Sequence, residues 1–472
     1  MNKYTLLIFI FYARLYSGNC SGQIDELWGL TTGGGANNSG VIFKIQEDGT
    51  GYTLVHSMDT NAGSTAGLIE ATNHILYGVT VYGGVFSCGT LFSINPSDYS
   101  FTKLVDLNHS TGMGRILMGT LLQANNGKLY GTSWESAFNY NITSDTVEVF
   151  HYFNSYDSWL PYENSMIEGL NGSLYGMSTY GGINGNFTEP GYGTIFKVDP
   201  DSDVFQKIYD FDSLNGKRPY GSFCRLSDGN LYGLTALGGQ QNMGVLFKFN
   251  PDSNIFTKLY DFDLPNGAKP YGTLLNPGND TLYGTTYWGG LNNMGVIFKF
   301  NPMNNTYTKL YDFDSTNGKW AYGAMIQGSN GKFFGMTTKG GNYDDGVIYC
   351  FDPITNNLLK IFDFDSINGK IPYAALLRIS GPTTVSSVIK SNNFQLSPNP
   401  TTSLLNIQTT QSINHIELFN PLGKQVGNWH PEMFGANGNK KITIDLTQLS
   451  TGIYFLQASD GKKVWRGKVV KK

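Results

Sequence analysis

The sequence predicts an all-β protein, and three observations lead to this prediction. A Leu-aromatic-Gly signature (Phe-Phe-Gly in the last copy) recurs along the chain, with its aromatic residue at Trp28, Tyr77, Tyr130, Tyr175, Tyr232, Tyr283 and Phe334. The successive differences are 49, 53, 45, 57, 51 and 51 residues, and such a period is typical of a repeat architecture. Each copy holds short runs rich in β-branched and aromatic residues between turn residues, and no segment shows sustained helical periodicity.

The copy that begins at Leu231 illustrates the repeating unit. It contains four apolar runs, at 231–235, 245–249, 256–263 and 272–275, before the next signature at Tyr283. Four short antiparallel strands per unit are typical of a β-propeller blade. The sequence therefore predicts a seven-bladed β-propeller over residues 23–379.

The phase of the repeats favours a closed ring over an open stack. The first copy begins with the strand around Trp28 and lacks the innermost strand that should precede it, whereas Ala374–Ile379 reads as an innermost strand with no copy after it. We expect this C-terminal inner strand to complete the first blade. An open stack would leave unpaired strand edges, which favour aggregation.

Two copies depart from the regular unit. The third lacks the double glycine after Trp134 but keeps an outer run at 146–153, so we expect it to have lost a loop and not a strand. The fourth carries a longer insert at 183–192.

Composition excludes some classes of function. Only 14% of the 472 residues are charged, the formal net charge is −4, and no basic run suggests nucleic acid as a partner. Cys88, Cys224 and Cys350 occupy unrelated strand positions, which favours free, buried thiols over disulfides. The six histidines show no metal-ligand spacing, and the glycine-rich loops lack a phosphate-binding fingerprint, so no cofactor or metal is predicted.

Both ends of the chain differ from the repeats. Residues 1–22 resemble a signal peptide, because Lys3 precedes a short apolar run and small residues follow it. Asn19 before Cys20 argues against a lipoprotein, and the apolar run is too short to span a bilayer, so no transmembrane segment is predicted in the mature chain. Residues 380–393 read as a linker, and residues 394–472 as a smaller β domain with candidate strands at 404–408, 415–419, 442–445 and 454–457.

Two repeated loops supply the candidate site, and propeller connectivity places both on one face. The first is Asp-Phe-Asp followed by Asn-Gly, with its second carboxylate at Asp212, Asp263, Asp314 and Asp365. The spacing differs from a calcium loop and lacks its closing glutamate, so these side chains are expected to hold turns in preference to a metal.

The second loop carries a double glycine and aromatic residues that vary between copies. These aromatic residues, Tyr82, Trp134, Tyr180 and Trp288, are candidate ligand-binding residues, together with the loop aspartates Asp212, Asp263, Asp314 and Asp365. Variable residues on a repeated frame are where binding specificity can reside. They could stack on sugar rings or pack against the next blade.

The chain resembles two known families. Leu-Tyr-Gly-x-Thr, the double glycine and Gly-Val-Ile-Phe-Lys resemble the tandem GloVer-type repeat of bacterial exported proteins. The tail resembles the type A sorting domain of the type IX secretion system, on Pro398, Asn399, Pro400, Gly423, Lys424, Gly452, Tyr454 and Lys468. The second resemblance implies a Bacteroidota-type cell, a β-sandwich tail that engages the type IX machinery, and Sec-dependent passage through the periplasm to the cell surface or the medium.

These observations predict a secreted or surface-exposed, non-catalytic propeller that binds a glycan or a protein. A polysaccharide-degrading lyase or hydrolase on the same scaffold is the alternative, and a structural surface-layer component is a third. An enzyme should have one unrepeated cluster of ionisable groups in a deep pocket.

Overall fold

A computed structural model gives the structure of the protein. It describes residues 25–108, 116–155, 157–158, 165–183 and 191–379, and in the C-terminal part residues 394–397, 401–409, 413, 415–420, 425–429, 440–459 and 464–471. The chain divides after Ile379 into two compact units. The described residues form strands, turns and irregular segments, with no helix among them, so the prediction of an all-β protein is confirmed.

The unit at Ile24–Ile379 contains seven antiparallel sheets within its described residues. The strands of the first three sheets, apart from one that comes from the end of the unit, are β1 Glu26–Leu30, β2 Val41–Gln46, β3 Thr53–Ser57, β4 Ile69–Glu70, β5 Leu76–Val79, β6 Thr90–Ile94, β7 Phe101–Asp106, β8 Leu122–Gln123, β9 Leu129–Thr132, β10 Ser136–Asn141 and β11 Thr146–Tyr152. The third sheet keeps all four strands, as its sequence predicts.

The remaining strands of this unit repeat the same order. They are β12 Ile167–Glu168, β13 Leu174–Ser178, β14 Thr194–Asp199, β15 Val204–Asp210, β16 Cys224–Arg225, β17 Leu231–Thr235, β18 Val245–Asn250, β19 Ile255–Asp261, β20 Leu282–Thr285, β21 Val296–Asn301, β22 Thr306–Asp312, β23 Ile326–Gln327, β24 Phe333–Thr337, β25 Val347–Asp352, β26 Asn357–Asp363 and β27 Leu377–Ile379. In the sixth sheet the innermost strand predicted at 272–275 is reduced to one bridge, between Leu275 and Tyr283.

The first sheet joins the two ends of the unit. Its strand order is β27-β1-β2-β3, and Glu26, Leu27 and Trp28 pair with Ile379, Arg378 and Leu377. Arg378 also forms an ion pair with Asp25 at 3.7 Å. The C-terminal inner strand therefore completes the first sheet, as the phase of the repeats predicts.

The core of this unit lies between neighbouring sheets. Buried clusters join each pair of successive sheets from the first to the seventh. A further cluster, which includes Leu27 and Leu376 beside Phe334 and Ile348, joins the seventh sheet to the first. The signature aromatics belong to these clusters and are at most 9% exposed, which fits a structural role.

The C-terminal unit has two sheets and a core of its own. Its described strands are β28 Phe394–Ser397, β29 Leu404–Thr409, β30 His415–Phe419, β31 Gln425–Trp429, β32 Lys440–Asp445, β33 Gly452–Ser459 and β34 Val464–Lys471. The sheet orders are β28-β29-β32 and β31-β30-β33-β34, and one buried cluster includes residues of both sheets. The four candidate strands are confirmed, and β28, β31 and β34 are additional strands that were not predicted from the sequence.

The thiols are free, but one prediction about them is wrong. Cys88, Cys224 and Cys350 form no disulfide. Cys224 and Cys350 are buried, and burial raises the pKa of both thiols, to about 11 for Cys224. Cys88 is only half-buried, because it follows an exposed loop tip at Val85 and Phe86.

Candidate functional site

The two repeated loops meet on one face, and hydrogen bonds fix their contact. The first carboxylate of each Asp-Phe-Asp accepts the N–H of the residue after the double glycine, as in Asp261 with Gln240 at 2.9 Å and Asp312 with Leu291 at 2.7 Å. A Cβ on the second glycine would lie 2.3–2.5 Å from that carboxylate oxygen in all four Asp-Phe-Asp copies, and 2.3 Å from Asp106 Oδ1 in the second repeat, so only glycine fits there.

The second carboxylate of each Asp-Phe-Asp holds its own turn. Asp314 Oδ1 accepts the N–H groups of Thr316 and Asn317, and its Oδ2 accepts the Asn317 side-chain amide. Asp212 and Asp365 make the same three bonds, whereas Asp263 makes two, because Pro265 has no N–H to donate. These carboxylates thus hold turns, as the sequence predicts. No group of three or more His, Cys, Asp or Glu side chains in the described ranges could hold a metal ion.

These turns imply a stability that depends on pH. Burial opposes ionisation of Asp314 most strongly, but the hydrogen bonds from Asn317 and Thr316 outweigh it and lower the pKa of this carboxyl. The pKa values of Asp212 and Asp365 are lowered for the same reason. A pKa depressed in the folded state contributes stability above the unfolded value of about 3.9, and this stability is lost as pH falls through the folded pKa.

We therefore expect Asp314→Ala to lower the free energy of unfolding by about 1–2 kcal/mol at pH 7. The difference from the wild type should shrink as pH is lowered from 7 towards 3, because the wild-type carboxylate becomes protonated as pH falls through its folded pKa. Thermal unfolding at both pH values measures this. An equal difference in stability between the variant and the wild type at both pH values would contradict the role given to the ionised carboxylate.

A cavity of about 290 Å³ lies where the seven sheets converge. Seven of its lining residues lie in the segments that lead into the inner edges of the seven different sheets: Thr65, Thr120, Ser165, Ser222, Thr273, Tyr322 and Tyr373. Hydroxyl groups join neighbours, since Ser222 Oγ accepts the Ser165 N–H and Thr273 Oγ1 accepts the Ser222 N–H, each at 2.7 Å. No residue described in this lining is Asp, Glu, His, Lys or Arg.

Four tyrosines at equivalent positions of four sheets border this cavity, and we call them the axial tyrosines. They are Tyr220, Tyr271, Tyr322 and Tyr373. Their ring centroids lie 4.9, 4.6 and 4.9 Å apart in that order. Burial raises the pKa of Tyr220 well above its usual range, and Tyr180 raises it further. Tyr220 is therefore protonated at neutral pH and suited to donate a hydrogen bond, not to act as a base.

A second set of aromatic residues extends outward from the axial tyrosines. Tyr287 contacts Tyr271 and Tyr322, at 5.2 and 6.0 Å between centroids. It also stacks with Trp288 at 6.3 Å and with Trp320 at 5.7 Å. Trp288 is 38% exposed, so this run of rings reaches solvent. Tyr180 joins the axial tyrosines through a side-chain hydrogen bond with Tyr220. We call Tyr180, Tyr287, Trp288 and Trp320 the aromatic arc.

Cations lie against the rings of the arc. Lys269 Nζ is 3.9 Å from the Trp288 ring centroid, the Arg218 guanidinium is 4.8 Å from that of Tyr180, and Lys319 Nζ is 5.1 Å from that of Trp320. These distances are in the range of cation–π attraction.

The backbone presents some of these residues in a fixed left-handed conformation. Arg218, Lys269 and Trp320 occupy one repeat position and have φ values of 58°, 52° and 63°. This conformation is unfavourable for residues other than glycine, but hydrogen bonds hold it. The Lys269 N–H donates to Met243 O at 2.8 Å, and Lys269 O accepts the Tyr287 N–H at 3.1 Å. The fold thus fixes the backbone position of this residue in each repeat, while the residue type varies between repeats.

The four aromatic residues that the sequence suggested as ligand-binding residues lie in different environments. Tyr180 and Trp288 belong to the arc. Tyr82 is 48% exposed and lines an adjoining cavity of about 340 Å³, which shares Thr65 with the axial one. Trp134 is half-buried just after β9 and lines neither cavity.

The axial tyrosines, Tyr287 and Trp320 were not predicted as site residues from the sequence. A signal was present, because the axial tyrosines recur at intervals of 51 residues, each after Asn-Gly and usually after Pro.

The residues that suggested a sorting tail are only partly described. Pro398, Asn399, Pro400, Gly423 and Lys424 lie outside the described residues. Gly452 begins β33, Lys468 lies in β34, and Tyr454 is 5% exposed and donates a hydrogen bond to Ser450 O at 2.8 Å.

Comparisons with solved structures support a propeller-like fold. The periplasmic gluconolactonase of Pseudomonas aeruginosa is 14% identical, with a TM-score of 0.52 over 76% of this chain and 99% of that one. A Bacteroides fragilis protein provisionally described as a 6-phosphogluconolactonase is 15% identical, with a TM-score of 0.52 over 75% and 98%. At this identity the likeness concerns the fold alone. No curated protein sequence matches the chain.

Family models match nearly the whole chain. The Gloeobacter/Verrucomicrobia repeat matches residues 12–190 and 188–393, and the secretion system C-terminal sorting domain matches residues 395–472. Such a tail marks a protein that type IX secretion exports to the cell surface or the medium. No helix in the described part of the chain is long and apolar enough to cross a membrane. The chain therefore belongs to the Gloeobacter/Verrucomicrobia repeat family and ends in a type IX sorting domain.

Proposed function

We propose that the protein is a closed seven-bladed β-propeller that binds a carbohydrate, without cleaving it, at the axial tyrosines and the aromatic arc. The observation that carries this proposal is the unbroken run of ring contacts from the cavity to the exposed indole of Trp288. The C–H-rich face of a sugar ring stacks on such rings, while hydroxyls at the cavity rim offer hydrogen bonds.

The closed ring is supported by the pairing of β27 with β1 and by the cluster between the seventh and first sheets. A cavity lined by segments that lead into all seven sheets fits the same arrangement. The proposed domain boundaries are residues 1–22 for a signal peptide, 23–379 for the propeller, 380–393 for a linker and 394–472 for a β-sandwich tail. We further propose that a cell of Bacteroidota type exports the chain by Sec-dependent passage through the periplasm and then through the type IX machinery.

Binding is favoured over catalysis by the chemistry of the cavity. Acid–base cleavage of a polysaccharide needs ionisable groups with pKa values near the working pH. The described lining offers only tyrosine, hydroxyl, apolar and glycine groups, and the pKa of Tyr220 is raised away from neutrality. The repeated aspartates are engaged within their own turns.

The proposal predicts that Trp288→Ala weakens carbohydrate binding by about 30-fold or more, as truncation of a tryptophan at the centre of an interface does. The melting temperature should change little, because this side chain is 38% exposed. A glycan array with purified residues 23–379 would select the ligand, and calorimetry would then compare the variants.

Tyr152→Ala is the matched control, since Tyr152 is 59% exposed on β11, an outer strand of another sheet. It should bind like the wild type. A large loss of stability in Trp288→Ala would show that the indole serves packing, and release of shortened glycans during incubation would favour the enzyme.

A further inference from the structure

Basic side chains are concentrated around the aromatic arc. Six of them occupy the residues just after Asn-Gly or just before the double glycine in the later repeats: Lys217, Arg218, Lys269, Lys319, Lys339 and Lys370. All six are half-buried. The whole chain has a formal net charge of −4, so this concentration runs against its average composition.

The repeat frame explains why these cations share one face. The residue after Asn-Gly pairs with the residue before the double glycine of the next sheet, as in Lys217 with Leu237, Ala268 with Trp288 and Lys319 with Lys339. Gly33 and Lys370 form the equivalent bridge between the first sheet and the last repeat. These junctions thus bring variable side chains together, and Arg218, Lys269 and Lys319 lie against rings of the arc.

Few carboxylates neutralise this face. Among the ion pairs of the described residues, only Lys319 of the six has a partner, Asp344 at 2.9 Å. The aspartates at the start of the adjoining loops, such as Asp212 and Asp314, accept hydrogen bonds from their own turns. Lys269 and Arg218 instead lie against the Trp288 and Tyr180 rings, where attraction to the ring replaces part of their hydration.

We propose that the carbohydrate is anionic, with sugar rings on the aromatic arc and carboxylate or sulfate groups at Arg218, Lys269 and Lys319. This inference rests on the proposed carbohydrate binding and adds the charge of the ligand. The planar guanidinium of Arg218 suits bidentate contact with a carboxylate or sulfate. An anion beside a half-buried cation interacts more strongly than in bulk water, because the local dielectric is lower.

The test compares pairs of ligands that share a sugar backbone and differ in the presence of charged groups. Oligogalacturonate and its fully methyl-esterified form test carboxylates, and dextran sulfate and dextran test sulfates. Calorimetry with residues 23–379 at low and high salt should show binding about tenfold or more tighter for the charged member of at least one pair. Added salt should reduce that preference, because it screens partly exposed charges.

Two variants distinguish the contribution of the cations to binding from the contribution of the aromatic rings. Lys269→Gln should reduce binding of the charged ligand and leave any binding of its neutral counterpart nearly unchanged. Lys299→Gln, on β21 of the same sheet, is the control and should change neither. Trp288→Ala should weaken both.

The outcomes distinguish the two proposals. Equal binding of charged and neutral partners, or a preference for the neutral one, would overturn the anionic ligand while supporting carbohydrate binding. Failure of all four ligands and of a broader glycan array would overturn the carbohydrate proposal itself. Charged binding that Lys269→Gln leaves intact would overturn the assignment of the anion to this face.

Discussion

Deletion of residues 394–472 is expected to leave the repeat unit folded and to trap it in the periplasm. These residues match a sorting domain, and their buried cluster consists of residues of that unit alone. Because the repeat unit has its own cores, its stability should not depend on the tail. Immunoblots of the periplasm, outer membrane and medium measure the effect, and the exported fraction should fall by at least an order of magnitude.

A fusion of residues 380–472 to an unrelated periplasmic reporter is the control for this deletion. Its appearance on the cell surface or in the medium would show that the tail suffices for export. Normal export of the truncated protein would contradict the role assigned to residues 394–472.

Truncation after Tyr373 should destabilise the repeat unit severely. It removes the three backbone pairs between β27 and β1, together with Leu376 and Ile379, which are 3% and 7% exposed. Loss of one buried leucine alone costs about 2–5 kcal/mol, and a typical domain is stable by about 5–15 kcal/mol. The unpaired edge of β1 would also favour aggregation.

Thermal unfolding followed by circular dichroism compares this truncation with a chain that ends at Ile379. The longer chain should unfold cooperatively, and the shorter one should melt at a much lower temperature or aggregate. Equal melting temperatures would show that β27 contributes little, contrary to its place in the first sheet.

Much of the fold was predictable because it is periodic. The signature around Tyr232 or Tyr283 recurs near every fifty residues, and each such strand is buried on both faces, so its apolar run stands out. The missing first inner strand and the surplus one after Tyr373 together predicted the β27–β1 pairing. The aspartate turns were also predictable, because Asp-x-x-Asn-Gly can satisfy its own backbone N–H groups.

The site was less predictable, because its residues lie at the inner edge of each sheet. The inner strands β16 and β23 have only two residues, and the sixth sheet has one bridge in their place, so no strand pattern marks the segments around Tyr271. Gly272 faces Gly323 backbone at 2.8 Å from its ideal Cβ position, a close approach that local sequence does not reveal. Residues 51 positions apart become neighbours only through the arrangement of the sheets.

The axial site requires that the seven sheets close into a ring, and circular permutation tests that ring directly. Glu26 pairs with Ile379, so an Asn-Gly linker that joins Ile379 directly to Glu26 should form the two-residue turn of a hairpin of β27 and β1. New ends would be placed at the exposed turn between Asn304 and Asn305. A second permutant, with a flexible linker of about 30 residues, controls for the effect of the new chain ends on stability. We predict that both permutants melt close to the melting temperature of residues 25–379. If the permutant with the long linker folds and the permutant with the Asn-Gly linker does not, the two ends of the repeat unit lie apart and the ring is not closed.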